Sequence, residues 1–238
     1  MKISIITATF NSEKCIEALI ESIKLQTYHD YEWIVVDGLS SDNTMDMVRR
    51  SGVNNVRYIS EKDSGIYSAF NKGVKISKGD YIYFIGSDDR FADSNVLLDI
   101  SKYLDDDICC VFGGVRDGRN FIFNSSLRWK INIINTVHHQ AAFYARKLFV
   151  DFIFDEAIKV VSDYELNFKL AHFHGGDYLA CDRLVAICGA GGVSNNGGEF
   201  ANYRDMHIIR QKYIGWAASY IFYIGAICNL ILKRRWHD

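Results

Sequence analysis

Residues 79–91 read GDYIYFIGSDDRF, and this stretch decides which fold the sequence predicts. Tyr81 to Ile85 form an apolar run of strand length, rich in aromatic and β-branched side chains and bounded by glycine on both sides. A strand without polar alternation suits the centre of a parallel sheet covered on both faces. The run leads into two adjacent carboxylates, Asp88 and Asp89. Because ligands of open α/β sheets bind at the carboxyl ends of the strands, this pair is predicted to lie at a ligand site.

The two carboxylates admit two interpretations. Carboxylate oxygens suit Mg²⁺ or Mn²⁺, which bind through one or two carboxylates and share their remaining positions with substrate phosphates. The alternative is a solvated turn, since Ser-Asp-Asp-Arg is also an ordinary turn sequence. The order of the surrounding elements decides between them.

Composition excludes several classes of protein. The 238 residues carry a formal net charge of −2, which does not favour a nucleic-acid partner. The six cysteines form no C-x-x-C pair and no Cys/His metal spacing, so we interpret them as reduced thiols. The first residues enter a strand without a leader pattern, and we therefore expect a cytoplasmic protein.

Strands and helices alternate three times in the first ninety residues. The predicted strands cover residues 2–10, 32–37, 55–60 and 81–85, and helices are predicted over 13–25, 44–50 and 66–77. Ser12 is the predicted N-cap of the first helix. The alternation predicts an α/β fold, with a mainly parallel sheet and helices on both faces.

Short polar or acidic groups follow these strands at one edge of the predicted sheet. They are Thr9, Asn11, Asp37, Asp63, Asp88 and Asp89. The sequence contains neither G-x-G-x-x-G after the first strand nor G-x-x-x-x-G-K-[ST], which argues against a dinucleotide oxidoreductase and a P-loop NTPase. The charge of a bound phosphate would then be balanced mainly by a metal ion.

Several ordered motifs resemble family 2 glycosyltransferases. The opening ISIITATFNSEKCIEALIESIKLQTYHDYEWIVVDGLSSDNT is similar to the start of that family, and EKDSGIYSAFNKGVKISKGDYIYFIGSDD resembles its bacterial surface-polysaccharide branch. The similarity resumes at HHQAAFYARKLF and VVSDYELNFKL and covers roughly residues 2 to 195. It implies a GT-A fold and a nucleotide-sugar site.

The resemblance also implies roles for individual residues. Thr9 and Asn11 would lie under the nucleoside, and Asp37 would accept a hydrogen bond from the base. Asp63 and Asn71 would close the nucleotide pocket. Asp88 would serve the ribose, and Asp88 and Asp89 would hold Mn²⁺ or Mg²⁺ at the diphosphate.

This chain also departs from the family pattern. Ala8 and Lys62 stand at common proline positions, and Ser68 replaces a frequent aspartate. Gly86 occupies the first acid of a D-x-D-D motif. That change leaves open which acid contacts the metal directly.

Two segments of the second half are candidates for the acceptor side. The resemblance places His139 and Gln140 at the cleft, although adjacent histidines on a strand would point in opposite directions. It also places the general base in SDYELNFKL, where Asp163 matches the motif better than Glu165 does. A helix N-terminus alone would also favour an acid at Asp163, and Ser162 could cap that helix. The run GAGGVSNNGG at 189–198 is a predicted lid.

The C-terminal segment differs in character from the rest of the chain. Residues 214–232 carry no formal charge and precede Lys233, Arg234 and Arg235. Three alternatives fit this pattern: a helix lying at an anionic membrane interface, a helix packed on the core, and a membrane span.

The sequence thus predicts a GT-A domain over 1–205, with a nucleotide-sugar half (1–90) and an acceptor half (91–205), and a membrane-associating helical segment over 206–238. The predicted function is inverting, metal-dependent transfer from a nucleotide sugar, most simply a UDP-sugar, to a lipid-diphosphate-linked saccharide of a surface polysaccharide, at the inner membrane. The alternatives are a sugar nucleotidyltransferase and a non-catalytic subunit of an assembly complex. A nucleotidyltransferase would normally carry a Gly-rich, basic loop after the first strand, which TATFNSEK lacks.

Overall fold

The computed structural model describes residues 1–118, 121–174, 176–189 and 199–235, and its description omits the side chains of residues 229 and 231–235. Apart from Gly189, the predicted lid at 189–198 lies outside the described residues. The described residues form one mixed sheet in the order β3-β2-β1-β4-β8-β6-β9-β5, with β7 paired to β6.

The first half of the sheet is parallel, as predicted. Its strands are β1 (Ile3–Thr9), β2 (Tyr31–Asp37), β3 (Val56–Ser60) and β4 (Tyr81–Phe84). The connections contain α1 (Ile16–Lys24), α2 (Thr44–Arg49) and α3 (Ile66–Ile76). β1 pairs in parallel with both β2 and β4, so its carboxyl end lies at the centre of the edge that the sequence analysis singled out.

The second half of the sheet is mixed. It contains β5 (Arg90–Phe91), β6 (Cys110–Arg116), β7 (Ile122–Asn124), β8 (Ala142–Ala145) and β9 (Tyr178–Ile187). β8 runs antiparallel to both β4 and β6, whereas β9 runs parallel to β6 with a bulge near Gly114. The helices of this half are α4 (Val96–Ser101) and α5 (Asp163–Phe173).

Two apolar layers cover the sheet, one on each face. One contains inward side chains of β1 and β2, such as Ile6 and Ile34, with α3, α5 and α6 (Glu199–Arg235). The other contains the alternate positions, such as Ile5 and Trp33, with α1, α2 and α4. Because side chains of a strand alternate between faces, a strand that is apolar throughout supplies both layers. The predicted α/β fold with helices on both faces is confirmed.

The first helix begins later than predicted. α1 starts at Ile16, not at Glu13, although Ile16, Leu19 and Ile23 form the predicted buried stripe. Ser12 does not cap the helix with its side chain; its hydroxyl lies 2.8 Å from that of Ser87. A turn therefore precedes the helix and brings Ser12 to the end of β4.

The C-terminal helix is a hairpin of two helical halves. Gly215 interrupts α6 with φ +76° and ψ +168°, a conformation that favours glycine. The second half returns along the first, since the Ser219 hydroxyl lies 2.6 Å from His207 Nδ1. Ala226 and Leu230 are buried in the same apolar layer as α5. Among the residues described, no helix has the length and apolar character needed to cross a membrane.

Candidate active site

A cavity of about 680 Å³ opens at the carboxyl ends of β1 and β4. It lies between the turn before α1, the first turn of α3, the end of β4 and the segment around residue 160. The predicted site residues that line it are Thr9, Asp63, Asp88, Asp89, His139 and Gln140. All six lie at the edge of the sheet where the sequence predicts a ligand site.

Asp88 and Asp89 differ in their surroundings. Asp89 is buried, and its Oδ2 accepts hydrogen bonds from the Gly86 amide (3.0 Å) and from Gln140 Nε2 (3.2 Å). Its Oδ1 accepts one from the Gly189 amide at 2.9 Å. Asp88 is only partly buried and faces the cavity. Asp89 is thus held by the fold, and Asp88 lies nearer to solvent.

Two glycines pack directly against these acids. A Cβ atom on Gly86 would lie 2.8 Å from Asp89 Oδ2, and one on Gly189 would lie 2.4 Å from the Asp88 carbonyl oxygen. Both distances are below those that real side chains adopt. The departure at Gly86 therefore fits the local packing, because a side chain there would displace Asp89.

The acidic pair makes this end of the cavity electronegative. Burial, followed by the charges of Asp89 and Asp88, raises the pKa of the nearby Cys188 thiol to about 12. Burial and then Asp88 also raise the pKa of Cys15, which lines the cavity. A negative potential made by carboxylate oxygens suits a divalent cation such as Mn²⁺ or Mg²⁺.

The side of the cavity formed by β1 and α3 carries polar groups that a ligand could bind. Thr9 Oγ1, at the end of β1, is buried and has no hydrogen-bond partner among the described residues. An unpaired buried polar atom is costly, so its position on a cavity wall favours a polar ligand. Asp63 Oδ1 accepts the Gly65 amide at 3.0 Å, which shapes the entry to α3.

Three residues predicted for the nucleotide lie away from the cavity wall. Asn11, with φ +47°, links two loops, because its Oδ1 accepts a hydrogen bond from the Ser41 amide at 2.9 Å. Asp37 is buried and binds the hydroxyls of Ser40 and Ser60. Asn71 exchanges hydrogen bonds with the backbone of Phe154.

Asp163 lies directly behind the cavity wall, at the first position of α5. Its Oδ1 accepts the Tyr67 hydroxyl at 3.0 Å, and its Oδ2 accepts Asn135 Nδ2 at 3.2 Å. His139 Nδ1 lies 3.5 Å from the same Oδ2. Since Tyr67 and His139 line the cavity, this carboxylate is one side chain removed from the space that a substrate would occupy.

The local structure at His139 differs from the expected strand. Residues His139–Ala141 form a 3-10 turn that precedes β8. In this turn His139 and Gln140 both reach the cavity, whereas neighbours on a strand would point in opposite directions.

Glu165, the alternative base, is part of a different contact. Its carboxylate accepts the Tyr213 hydroxyl at 2.7 Å and pairs with Lys212 at 3.2 Å. The next contact along this interface is made by buried Arg210, whose Nη1 donates to the Tyr164 hydroxyl at 3.1 Å. The first half of α6 therefore holds the first turn of α5 on the side away from the cavity.

Several residues around Asp163 were not predicted from the sequence. Tyr67 and Asn135 contact its carboxylate, and Asn167 extends the network behind it. The only sequence signal among them is Asn167, a polar residue one helical turn after Asp163 on an otherwise apolar face.

The fold also brings a cysteine, a histidine and an aspartate together, and none of the three lines the cavity. Cys109, His174 and Asp177 place one potential ligand atom each within 4.8 Å of one another. Burial, the largest effect, raises the pKa of Cys109, which favours the neutral thiol over the thiolate that a metal requires.

The family model "Glycosyl transferase family 2" matches residues 4–157, which include all of β1 except Ile3 and also the acidic pair. The chain belongs to this family. The matched range ends before Asp163.

The chain is similar to a named glycosyltransferase and to a named synthase. It is 29% identical over 181 residues to a PGL/p-HBAD biosynthesis glycosyltransferase of Mycobacterium tuberculosis, covering 70% of this chain and 68% of the relative. It is 30% identical over 180 residues to a chondroitin synthase of Escherichia coli, covering 71% of this chain. The aligned part is 26% of that synthase.

Solved structures confirm the predicted GT-A fold. S. aureus TarS 1-349 in complex with UDP-GlcNAc superposes with a TM-score of 0.74 at 21% identity, covering 95% of this chain and 72% of TarS 1-349. A Pyrobaculum calidifontis mannosyltransferase in complex with GDP-Man and Mn²⁺ gives 0.69 at 16% identity, covering 97% of this chain and 75% of the neighbour.

Proposed function

We propose that this family 2 chain is an inverting glycosyltransferase that moves a sugar from a nucleotide donor, most simply a UDP-sugar, to a lipid-diphosphate-linked saccharide in surface-polysaccharide synthesis. The observation that carries the proposal is one cavity with two separate acidic functions. Asp88 and Asp89 line the cavity, and Asp163 lies directly behind two other lining residues, Tyr67 and His139. A donor diphosphate and an acceptor hydroxyl require such different groups.

The acidic pair would hold the Mn²⁺ or Mg²⁺ that accompanies the donor diphosphate. The electronegative end of the cavity fits a divalent cation, and the bound UDP-GlcNAc and Mn²⁺ of the structural neighbours support this proposal. When bound, the ion would neutralise negative charge on the departing nucleoside diphosphate. We assign direct contact to Asp88, because the Asp89 carboxylate already accepts three hydrogen bonds that fix it in the fold.

Asp163 would act as the general base. Inverting transfer requires one carboxylate to accept the hydrogen of the acceptor hydroxyl while its oxygen attacks the anomeric carbon. Asp163 lies in the first turn of α5, where an acidic side chain stabilises a helix. Thr9 and Asp63 would bind the nucleotide, and His139 and Gln140 would line the acceptor side of the cleft.

The lipid-linked acceptor suggests attachment to the cytoplasmic side of the inner membrane. The second half of α6 exposes Trp216, Tyr220, Ile221 and Ile224, which lie on one helical face. Its other face is packed on the protein, so the exposed face could enter the headgroup region without unfolding the hairpin. Three basic residues follow in the sequence, and each would contribute about 1 kcal/mol to the free energy of binding at an anionic membrane surface.

Binding and turnover together test the catalytic proposal. Calorimetry with UDP-GlcNAc and UDP, with and without Mn²⁺, should show metal-dependent binding. Asp163→Asn should retain that binding and lower transfer by about 10²-fold or more. Glu165→Gln is the matched control, since Glu165 faces α6 and should affect stability more than rate. Loss of transfer in Glu165→Gln alone would refute the assignment of the base.

The same experiment separates the alternatives. A non-catalytic sugar-nucleotide-binding subunit would bind the donor but transfer nothing, with or without Asp163. A nucleotidyltransferase would release pyrophosphate from UTP and a sugar phosphate instead of transferring a sugar.

A tryptophan pair tests the membrane proposal. Trp216 and Trp129 have the same 65% exposure, but Trp129 lies on the main body of the protein. Trp216→Ser should weaken sedimentation with vesicles of anionic lipid, whereas Trp129→Ser should not. Equal sedimentation of both variants with the wild type would refute the proposed surface.

A further inference from the structure

The Tyr67 hydroxyl has one hydrogen and two acceptors. The carbonyl oxygen of Val160 lies 2.7 Å from it, and Asp163 Oδ1 lies 3.0 Å from it. Burial, followed by the charge of Asp163, raises the pKa of Tyr67 well above its usual value, so the phenol keeps its hydrogen. The hydroxyl can donate to only one of these oxygens at a time.

The charge of Asp163 decides which acceptor receives the hydrogen. An ionised carboxylate only accepts, so a hydroxyl that donated to Val160 would turn its own lone pairs toward a negative oxygen. When Asp163 is ionised, Tyr67 therefore donates to Oδ1. When Oδ1 is protonated, the carboxyl hydrogen donates to the Tyr67 oxygen, and the hydroxyl turns to Val160. Both arrangements are satisfied without movement of any heavy atom.

The other oxygen of Asp163 is held by a chain of donors. The Tyr144 hydroxyl donates to Asn167 Oδ1 (2.8 Å), Asn167 Nδ2 donates to Asn135 Oδ1 (3.1 Å), and Asn135 Nδ2 donates to Asp163 Oδ2 (3.2 Å). Every hydrogen bond in this chain points toward the carboxylate, and such bonds polarise one another. The chain fixes the orientation of Asp163 and leaves Oδ1 as the oxygen whose partner can change its role.

We propose that Tyr67 is a positioning residue whose hydroxyl follows the charge of Asp163 during the reaction. This inference rests on the proposed function. In the step, the acceptor O–H bond breaks and its hydrogen moves to the Asp163 carboxylate. The electron pair left on the acceptor oxygen forms the new bond to the anomeric carbon, and the nucleoside diphosphate leaves with the pair of the broken bond. Tyr67 then turns from Oδ1 to Val160.

The pH profile of Tyr67→Phe provides the first test. The titratable side chains that face Asp163 are Tyr67, His138, His139 and Tyr144. Loss of the Tyr67 hydroxyl removes a donor from the ionised carboxylate and so favours its protonated form. The acidic limb of the transfer rate should move about one pH unit higher, with donor KM unchanged. Tyr81→Phe is the matched control, because Tyr81 is equally buried and donates to backbone carbonyls elsewhere.

A second replacement of Tyr67 should move the acidic limb of the pH profile in the opposite direction. A 3-fluorotyrosine at position 67 keeps the shape of the ring and makes the hydroxyl a stronger donor. The acidic limb should then move to lower pH, and this protein should fold even if Tyr67→Phe does not. A limb that stays in place in the fluorotyrosine protein would overturn the inference.

Carboxyl NMR separates this inference from the proposed function. In protein labelled with ¹³C at aspartate carboxyls, the Asp163 signal is identified by its absence in Asp163→Asn. Its titration midpoint should rise by about one pH unit in Tyr67→Phe and remain in place in Tyr81→Phe. A wild type that transfers no sugar would refute the proposed function, whereas an unchanged midpoint in Tyr67→Phe would refute the role of Tyr67.

Discussion

Replacing Gly189 with alanine would disturb the acidic pair through a single methyl group. The new Cβ would lie 2.4 Å from the Asp88 carbonyl oxygen and 2.6 Å from Asp88 Oδ2, and real Cβ atoms essentially never come closer than 3.0 Å. The two segments must therefore separate by at least about 0.6 Å. The carbonyl is part of the backbone, so rotation of a side chain does not relieve the contact.

The expected cost follows from this geometry. Overpacking in a well-packed site costs about 1–3 kcal/mol. The separation also lengthens the 2.9 Å bond from the Gly189 amide to Asp89 Oδ1, one of the three that fix Asp89. We expect the free energy of unfolding to fall by about 2 kcal/mol. The same displacement of Asp88 should weaken Mn²⁺-dependent UDP binding by about tenfold or more.

Urea denaturation and calorimetry with UDP and Mn²⁺ measure the two effects. Gly225→Ala is the matched control, because a Cβ at Gly225 meets no atom within 4 Å and the residue lies inside a helix. That variant should be unchanged or more stable by up to about 1 kcal/mol, with unaltered UDP binding. If Gly189→Ala matches Gly225→Ala in both measurements, the proposed packing against the acidic pair is wrong.

Further predictions concern the acidic pair and the C-terminal hairpin. Asp88→Asn should abolish the Mn²⁺ dependence of UDP binding with little change in melting temperature, whereas Asp89→Asn should lower the melting temperature because three hydrogen bonds depend on its charge; equal melting temperatures would contradict this. Arg210→Met should leave the free energy of unfolding within about 1 kcal/mol of the wild type or raise it, because two guanidinium nitrogens have no partner among the described residues. If urea denaturation shows a loss of stability above about 3 kcal/mol, the charge of Arg210 is paired after all. Gly215→Ala should cost about 1–2 kcal/mol in the same assay because φ is +76°, and a neutral result would mean that the break is not required.

The position of this hairpin limits what a truncation experiment can test. Lys212 and Tyr213 bind Glu165, so a chain cut after Arg210 would lose the contacts that hold the start of α5. Loss of activity in such a protein would then report on the catalytic domain as well as on the membrane. Single substitutions on the exposed face, such as Trp216→Ser, test membrane attachment without this ambiguity.

The sequence by itself determined the parallel half of the sheet and the edge that carries the cavity. Each strand there is a short apolar run followed by a polar group, as in Ile3–Thr9 and in Tyr81–Phe84 with its two acids. These signals are local, and parallel strands bring their carboxyl ends to one edge whatever the details of packing. Thr9, Asp63, Asp88 and Asp89 could therefore be placed together from their order in the chain.

Tertiary structure alone decided the chemistry around Asp163. Its partner Tyr67 is 96 residues away, and Asn135 is 28 residues away. A sequence motif marks both Asp163 and Glu165 as acids in the first turn of one helix. Only packing shows that Glu165 faces α6, while Asp163 lies behind the cavity wall.

For the C-terminal segment too, packing decides what the sequence leaves open. Nineteen residues without formal charge are compatible with a span, an interfacial helix or a packed helix, because apolar content does not specify what buries it. Packing gives each side of the second half of α6 a different environment: Ala226 and Leu230 enter the core, and Trp216 and Ile221 remain exposed. Periodicity reports the environment of one element, whereas contacts between distant elements depend on how all of them pack. The partners of Asp163 and the exposed face of α6 are of that second kind.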